Sequence, residues 1–479
     1  MKTVAIFRAY DVRGKTPREL DGKTAYQIGR AFAVFLKEKT KRRGLKVVVS
    51  RDARKSSPLL LGMLAKGITD EGADVVDLGL TSTPLHCFAV NFLKSDGGAM
   101  VTASHNPAEY NGFKLHLRGG APIGMGTGLE RVKSIFEKEK FSAEALRLGN
   151  GKIRTANLLK KYVDFVLEAE KPAAGAKLKA VIDAGNGAMI PELKAAEKRI
   201  GVKAVKLFFN PDGRFSGRGP NPLKKGALAP ARRVVLETKA DLAAVFDADG
   251  DRVVFLDEKG EEVPAAIAAS LMADYFLREN KGGKIWRGLT VGRILEETVL
   301  ARGGRPLTGK VGRTNAKKDM TKRGALFGAE ASGHYYFKKF FYSDSALMAF
   351  LCVIKILAEK KKPFSELARP FRKYFQSGEI NVKIANRKSE IAEGRRIFKN
   401  LERRFGGRCR ISKLDGLSAD CGDFWFNVRK SNTEPMLRLN FEAKEAELGA
   451  RELAKLKKNF NADFLHYNDR ERNHRRERL

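Results

Sequence analysis

The chain predicts an α/β protein of several domains that closes with a smaller α+β unit. Up to about residue 370 a short apolar strand repeatedly runs into a loop rich in Gly, Ser or Asp and then into a helical stretch, the signature of alternating strands and helices. The last hundred or so residues abandon this rhythm for several strands framed by two helices. A length of 479 residues exceeds what one hydrophobic core serves, and at roughly 150 residues per domain it implies three or four of them.

Taken in order, the strand Lys46 to Ser50 precedes the loop RDARKSS and Ala99 to Thr102 precedes ASHNP. Lys179 to Ile182 precedes DAGNGA, and Leu242 to Phe246 precedes DADGD. Each loop falls beyond the carboxyl end of a strand, where parallel sheets place their chemistry. The stretch Thr24 to Lys37 gathers Ile28, Phe32, Phe35 and Leu36 on one side, as a helix packed on a sheet must. Near the end, a strand Glu379 to Ile384, a helix Ser389 to Arg404, strands within Ile411 to Glu442 and a helix Lys444 to Lys458 make up the α+β unit. The expected divisions are 1–150, 151–255, 256–375 and 376–462. A charged, nearly apolar-free tail over 463–479 is expected to fray.

Composition narrows the function classes. With 43% hydrophobic and 31% charged residues the chain has the balance of a packed globular protein and not of a disordered one. Arg8 interrupts any secretion signal, and the apolar run Ala346 to Ile354 is far short of a membrane span. A cytoplasmic protein without a membrane partner is expected. Cys87, Cys352, Cys409 and Cys421 form no C-x-x-C pair and read as reduced thiols. The formal charge of +36 attracts anions of every kind, phosphorylated metabolites and nucleic acid alike. Its basic residues are scattered without an aromatic-interleaved stripe, so no specific nucleic-acid partner is expected.

Four constellations can do chemistry. Asp247-Ala-Asp249-Gly-Asp251-Arg252 lies between apolar strands, and three alternating carboxylates on one loop can converge on a hard cation. An EF-hand is excluded, since Arg252 stands where that loop needs its turn glycine and strands flank it where helices are required. Thr102-Ala-Ser104-His105-Asn106-Pro107, with Lys114 close behind, sets a hydroxyl nucleophile beside a histidine and a cation. Read alone it is equally a turn. Glu330-Ala-Ser332-Gly-His334 places an acid, a hydroxyl and a proton-transfer residue on one loop. Arg429-Lys-Ser431-Asn432-Thr433 concentrates the donors that a phosphate accepts, although a polar hairpin loop has a similar composition. There is no P-loop motif, and Gly185-Asn-Gly187 lacks the third glycine of a dinucleotide fingerprint.

TASHNP, DADGDR, GAEASGH and R-x-SNTEP, in this order and at these spacings, resemble the α-D-phosphohexomutase superfamily from Tyr10-Asp-Val-Arg13-Gly14 to Pro435. The resemblance implies four domains around a central cleft: three related α/β domains with mixed sheets and a smaller C-terminal one. It implies that Ser104 carries a phosphoryl group, that Asp247, Asp249 and Asp251 hold Mg2+ against it, and that Lys114 and Arg252 assist transfer. Glu330 and Ser332 would bind sugar hydroxyls, with His105 and His334 in the catalytic group. Arg429, Ser431, Asn432 and Thr433 would grip the non-reacting phosphate, while Tyr10 and Arg13 line the cleft. The implied reaction moves a phosphoryl group between C1 and C6 of a hexose phosphate, activated by glucose or mannose 1,6-bisphosphate, in a monomer or dimer.

SNTEP and NGFK resemble the phosphomannomutase and phosphoglucomutase branch more than the phosphoglucosamine branch, which is the alternative within the enzyme class. A catalytically inactive, basic nucleic-acid-binding protein on the same fold is the alternative outside it. Two departures stand out. Arg313 occupies a position where relatives acting on mannose and glucose phosphates often carry histidine, and the loop 215–220 lacks a histidine pair frequent in them.

Overall fold

The computed structural model of the chain describes residues 6–42, 44–138, 141, 151–171, 177–383, 387–431, 436–458, 460 and 464–466. Four sheets follow one another along it. The first contains β1 (Val12–Lys15), β2 (Lys46–Arg51), β3 (Asp74–Leu80), β4 (Gly97–Val101), β5 (Tyr110–Leu117), β6 (Ala121–Pro122) and β7 (Ile153–Thr155), in the order β1-β5-β4-β2-β3-β7 with β6 beside β5. The second contains β8 (Leu178–Asp183), β9 (Val202–Leu207), β10 (Leu242–Phe246), β11 (Val253–Asp257) and β12 (Glu262–Val263), ordered β12-β11-β10-β8-β9. The third contains β13 (Lys284–Gly288), β14 (Arg305–Gly309), β15 (Phe327–Ala329), β16 (Tyr335–Phe337) and β17 (Ser343–Asp344), ordered β14-β13-β15-β16-β17. These three mix parallel and antiparallel pairs and are flanked by helices.

The fourth sheet is antiparallel throughout: β18 (Phe375–Lys383), β19 (Arg410–Ser412), β20 (Leu417–Asp420), β21 (Phe424–Lys430), β22 (Met436–Ala443) and β23 (Phe464–His466), ordered β19-β20-β21-β22-β18-β23. The expected α/β organisation with a distinct C-terminal unit is therefore present.

Local chemistry explains the elements. The helix Gly22–Thr40 begins where the Asp21 side chain accepts from the Thr24 amide, and it buries Ile28, Phe32, Phe35 and Leu36. Its partner, Ser57–Asp70, approaches so closely that a Cβ on Gly29 would lie 2.2 Å from the Leu64 carbonyl oxygen. Ser345 caps Ala346–Lys360, a helix apolar on nearly every side because it is buried on nearly every side. One apolar cluster runs through the second and third sheets, with Phe246 edge-on to Phe350 at 6.0 Å. The first and fourth sheets keep cores of their own, around Phe32 and Val49 and around Phe426 and Leu439.

Three expectations need correction. The loops after β4 and β10 lead into antiparallel strands and not into helices. The expectation of four reduced cysteines fails, because Cys409 and Cys421 form a disulfide. Their 12-residue separation hides the reason: Arg410 pairs with Asp420 across β19 and β20, so the next pair outward is Cys409 opposite Cys421. Cys87 and Cys352 are free and buried. Finally, the start of the expected tail forms β23, which covers the outer edge of β18 from Ile380 to Val382. The remainder of that tail lies outside the described residues. Among the described residues no helix is long and apolar enough to cross a membrane.

The first two sheets are tied through Glu192, on the helix Ile190–Ala196, which accepts from the Ser82 amide at 2.8 Å. Burial pushes its carboxyl up to about 7, and the Ser82 hydrogen bonds oppose the shift only in part. The folded protein thus retains a proton that the unfolded chain releases near 4.5, and stability falls as pH rises from there to about 7. Glu192→Gln, which cannot ionise, is expected to gain stability over the wild type by up to about 3 kcal/mol across that window and to hold the gain above it. Thermal melting of both proteins at pH 5 and pH 8 checks this, and a pH-independent difference contradicts it.

Candidate active site

The centre of the site is the hairpin end between β10 and β11, where Phe246 pairs with Val253 and the six residues between them turn back. Gly250 makes the turn at φ +74°, and a Cβ there would meet Met189 Cε at 2.7 Å. Asp247 Oδ1 accepts from the Gly250 and Arg252 amides at 3.0 and 3.2 Å. Asp247, Asp249 and Asp251 are fully buried. Burial and the other two carboxylates push Asp247 well above the usual range. Burial and Asp251 also oppose ionisation of Asp249, but Lys114 and Thr83 outweigh them and hold it below. Asp251 is driven further down, its burial overcome by Lys114, His334 and Arg252.

The neutralising groups come from the first sheet and from the hairpin itself. Lys114 on β5 places Nζ 2.5 Å from Asp249 Oδ2 and 2.5 Å from Asp251 Oδ2. Thr83, which heads the helix Thr83–Phe92, donates Oγ1 to Asp249 Oδ2 at 2.6 Å and its amide to the Asp249 carbonyl at 2.8 Å. Arg252 Nε lies 3.7 Å from Asp247 Oδ2 and donates to His334 Nε2 at 3.2 Å. On its other side the ring sets Nδ1 2.7 Å from Ser332 Oγ, within hydrogen-bond reach. His334 Nε2 also lies 3.4 Å from Asp251 Oδ1 and 3.9 Å from Asp344 Oδ2.

Carboxylate oxygens of Asp247, Asp249 and Asp251 lie within 4.8 Å of one another, so the three could hold a metal ion. Asp249 Oδ1 and Asp251 Oδ1 are buried and accept no hydrogen bond. Unpartnered anionic oxygens cut off from water are what a hard divalent cation coordinates.

Ser104 adopts φ +49°, a left-handed conformation that a serine does not take without being held. Its hydroxyl donates to Asp247 Oδ2 at 3.2 Å, and His105 Nδ1 lies 3.4 Å from it. Burial, then Arg252 and Arg13, lower the His105 pKa well below the usual imidazole value and keep the ring neutral. Arg13 reaches the same loop, donating to Asn106 Oδ1 at 2.7 Å while pairing with Asp11.

Glu330 is already engaged at both oxygens, by the Gly312 amide and the Tyr336 hydroxyl, each at 2.6 Å. Tyr10 donates to the Val311 carbonyl at 2.9 Å; burial, then Glu330 and Asp415, push its hydroxyl up to about 12, with Arg429 opposing. Arg429, on β21 and buried, donates to Glu379 Oε2 at 3.2 Å. The Ser431 amide donates to the Met436 carbonyl, whereas Asn432 and Thr433 lie outside the described residues.

Several participants escaped the sequence. Arg438 stands opposite Arg429 across β21 and β22 and pairs with Glu379 Oε1 at 3.0 Å. Strand alternation through MLRLN was the available signal. Thr83 and Asp344 carried no local signal. Arg313 heads the helix Arg313–Arg323 with Nη1 and Nη2 buried and unpartnered. In the loop 215–220, Arg218 pairs with Asp183 at 2.8 Å and donates to the Phe246 carbonyl just before the aspartate hairpin.

Models of the phosphoglucomutase/phosphomannomutase family match four stretches: alpha/beta/alpha domain I over residues 4–143, domain II over 160–260, domain III over 265–374 and the C-terminal domain over 379–458. The chain belongs to the phosphoglucomutase/phosphomannomutase family. Its relatives include the phosphomannomutase of Escherichia coli K12, 38% identical over 452 residues that cover 93% of this chain and 96% of that one. The phosphomannomutase of Methanocaldococcus jannaschii is 35% identical over 442 residues, covering 91% and 93%. Among solved structures, a phosphoglucomutase/phosphomannomutase family protein from Burkholderia thailandensis superposes with a TM-score of 0.86 at 30% identity, covering 97% of this chain and all of the other.

For this member of the phosphoglucomutase/phosphomannomutase family, a divalent cation at about ten times its dissociation constant should stabilise the fold by about 1.4 kcal/mol. Asp249→Asn should lose that increment whatever its own baseline stability. Melting temperatures with and without Mg2+ decide the point, and an unchanged increment in the variant removes Asp249 from the metal site.

Proposed function

We infer that the chain is a phosphohexomutase that interconverts hexose 1-phosphates and hexose 6-phosphates, of mannose and of glucose, through a phosphoserine at Ser104 and a hexose 1,6-bisphosphate. One observation carries the reading: a strained serine hydroxyl points at a buried carboxylate cluster, 3.2 Å from Asp247, with Lys114 and Arg252 beside it. Relatives named phosphomannomutase at 35–38% identity support the mannose substrate.

Phosphoryl transfer demands positioning and charge stabilisation above all. Bound Mg2+, held by Asp247, Asp249, Asp251 and the Ser104 phosphate, would supply a Lewis acid for the phosphoryl oxygens. Lys114 and Arg252 balance the negative charge that a phosphate brings among three carboxylates. When a sugar hydroxyl takes the phosphoryl group, the phosphorus–Oγ bond breaks with its electron pair left on Ser104 Oγ, whose charge Lys114 and Arg252 would offset, and the hydroxyl proton leaves. His334, its Nε2 freed once Arg252 turns to the phosphate, would accept it; Ser332 would face the sugar from the same loop, and Glu330 would do so on giving up the Tyr336 hydroxyl. His105, kept neutral beside Oγ, adds no charge to the nucleophile.

A phosphate at C1 and one at C6 must reach the same serine, so the bisphosphate turns around between two transfers. A clamp that reads a phosphate and not one end of the sugar permits this, and Arg429, Ser431, Asn432 and Thr433 are the residues for it, with Arg438 as a second guanidinium. The sheet that carries Arg429 and Arg438 has its own core and meets the third through polar contacts. Arg293 pairs with Asp420 and donates to the Gly422 carbonyl at 2.7 Å, and the Val311 amide donates to Asp415 at 3.0 Å. Such contacts can be exchanged, and the segment before β18 is the hinge.

Phosphorus NMR with Mg2+, a trace of glucose 1,6-bisphosphate and, in turn, mannose, glucose and glucosamine 1-phosphates tests the reading. Wild type should convert mannose and glucose 1-phosphates to their 6-phosphates, and Ser104→Ala should be slower by on the order of 10³-fold or more with its fold intact. Wild-type rates in the variant would sink the mechanism. A preference for glucosamine phosphate selects the phosphoglucosamine branch, and no conversion of any sugar returns the inactive binding protein. Arg429→Ala should raise KM about tenfold or more for 1- and 6-phosphates alike. Steady-state kinetics from both ends check this, and a loss confined to one end contradicts a shared clamp.

A further inference from the structure

The loop after β2, Asp52-Ala-Arg54, lies outside the four constellations, yet both backbone polar groups of Ser104 are anchored to it. On one side the Ser104 amide donates to Thr102 Oγ1 at 2.8 Å, and that hydroxyl donates to Asp52 Oδ2 at 2.8 Å. On the other, Arg54 Nη2 donates to the Ser104 carbonyl at 2.6 Å while Nε donates to the same Asp52 Oδ2 at 2.9 Å. The guanidinium also gathers the carbonyls of Asn106, Pro107 and Tyr110, at 2.7, 2.6 and 2.9 Å. Asp52 Oδ1 is held in turn by the Arg54 amide and Ser57 Oγ.

Asp52 and Arg54 are both 0% exposed. Four carbonyl dipoles converging on one buried point repel one another, and only a planar cation with five donors can bind them all while keeping a carboxylate partner. The loop that follows β9 closes the arrangement from outside. Phe215 lies over the guanidinium with its ring centre 5.0 Å away, and a Cβ on Gly213 would strike the Lys55 amide nitrogen at 2.5 Å.

We propose that Asp52 and Arg54 are a positioning pair that clamps the Ser104 peptide from both sides, holding its left-handed conformation and aiming Oγ at the transferring phosphoryl group. This rests on the reading of Ser104 as phosphoryl carrier. Neither residue touches substrate. Without the clamp Ser104 relaxes toward negative φ and its hydroxyl swings off the Asp247 line, and a displacement of this kind costs rate and not substrate affinity.

Arg54→Ala should therefore lower kcat by about 100-fold with KM within about threefold of wild type. Millimolar guanidinium, which can occupy the vacated site, should restore much of the lost kcat, a rescue that a merely destabilised protein would not show. Thr102→Val, nearly isosteric, should lower kcat by about tenfold with KM unchanged, and it decides the matter if Arg54→Ala does not fold. A folded Arg54→Ala with wild-type kcat, a loss confined to KM, a kcat that guanidinium leaves unrestored, or a Thr102→Val at wild-type rate each overturns the proposal. Hydrogen exchange over residues 102–112 reads the clamp without turnover: exchange should quicken in Arg54→Ala and slow again with guanidinium. An inert wild type would end the phosphohexomutase reading, and the exchange result alone would then decide the positioning claim.

Discussion

Three carboxylates buried on one hairpin end cannot be left to face one another, and meeting that constraint shapes the molecule. An unpaired buried charge costs several kcal/mol, so each oxygen must find a cation or a donor. The second sheet that carries Asp247, Asp249 and Asp251 cannot supply enough of them. Lys114 and Thr83 arrive from the first sheet and its helix, while Arg252, on the hairpin itself, ties the cluster to His334 of the third. Neutralisation thereby welds three sheets together at the point where the chemistry is placed. The two carboxylate oxygens that accept no hydrogen bond belong to the trio that could hold a metal ion.

The fourth sheet stands apart from this weld. Its core is separate, and ion pairs and amide hydrogen bonds join it to the third sheet. Arg429 and Arg438, adjacent across two strands, share the single carboxylate of Glu379. The pair sets two guanidiniums side by side on the fourth sheet, the arrangement on which the proposed phosphate clamp is built. On the proposed function, a bisphosphate that turns between two transfers would need the fourth sheet to move relative to this weld.

Much of this was legible in the sequence because it is local. Continuous apolar runs such as Leu242 to Phe246 announce strands buried on both faces, and the alternating aspartates follow directly from one of them. The unreadable part is where the partner is set by tertiary register. Arg54 lies 50 residues from Ser104 in a loop of ordinary composition, and nothing local says that its guanidinium collects four carbonyls. The Cys409–Cys421 bond depends on the pairing of β19 with β20, which 12 residues of spacing do not disclose. Phe464 to His466 looked like the start of a charged tail because the open edge of β18 that receives it was not visible.

The central claim is that one serine takes and gives the phosphoryl group for both ends of the sugar. Loading the protein with hexose 1,6-bisphosphate carrying radioactive phosphorus, mapping the label and then chasing separately with unlabelled hexose 1-phosphate and hexose 6-phosphate tests it most directly. Label on Ser104 that leaves to either monophosphate is the predicted result; label on another residue, or discharge to only one of the two, would contradict the account.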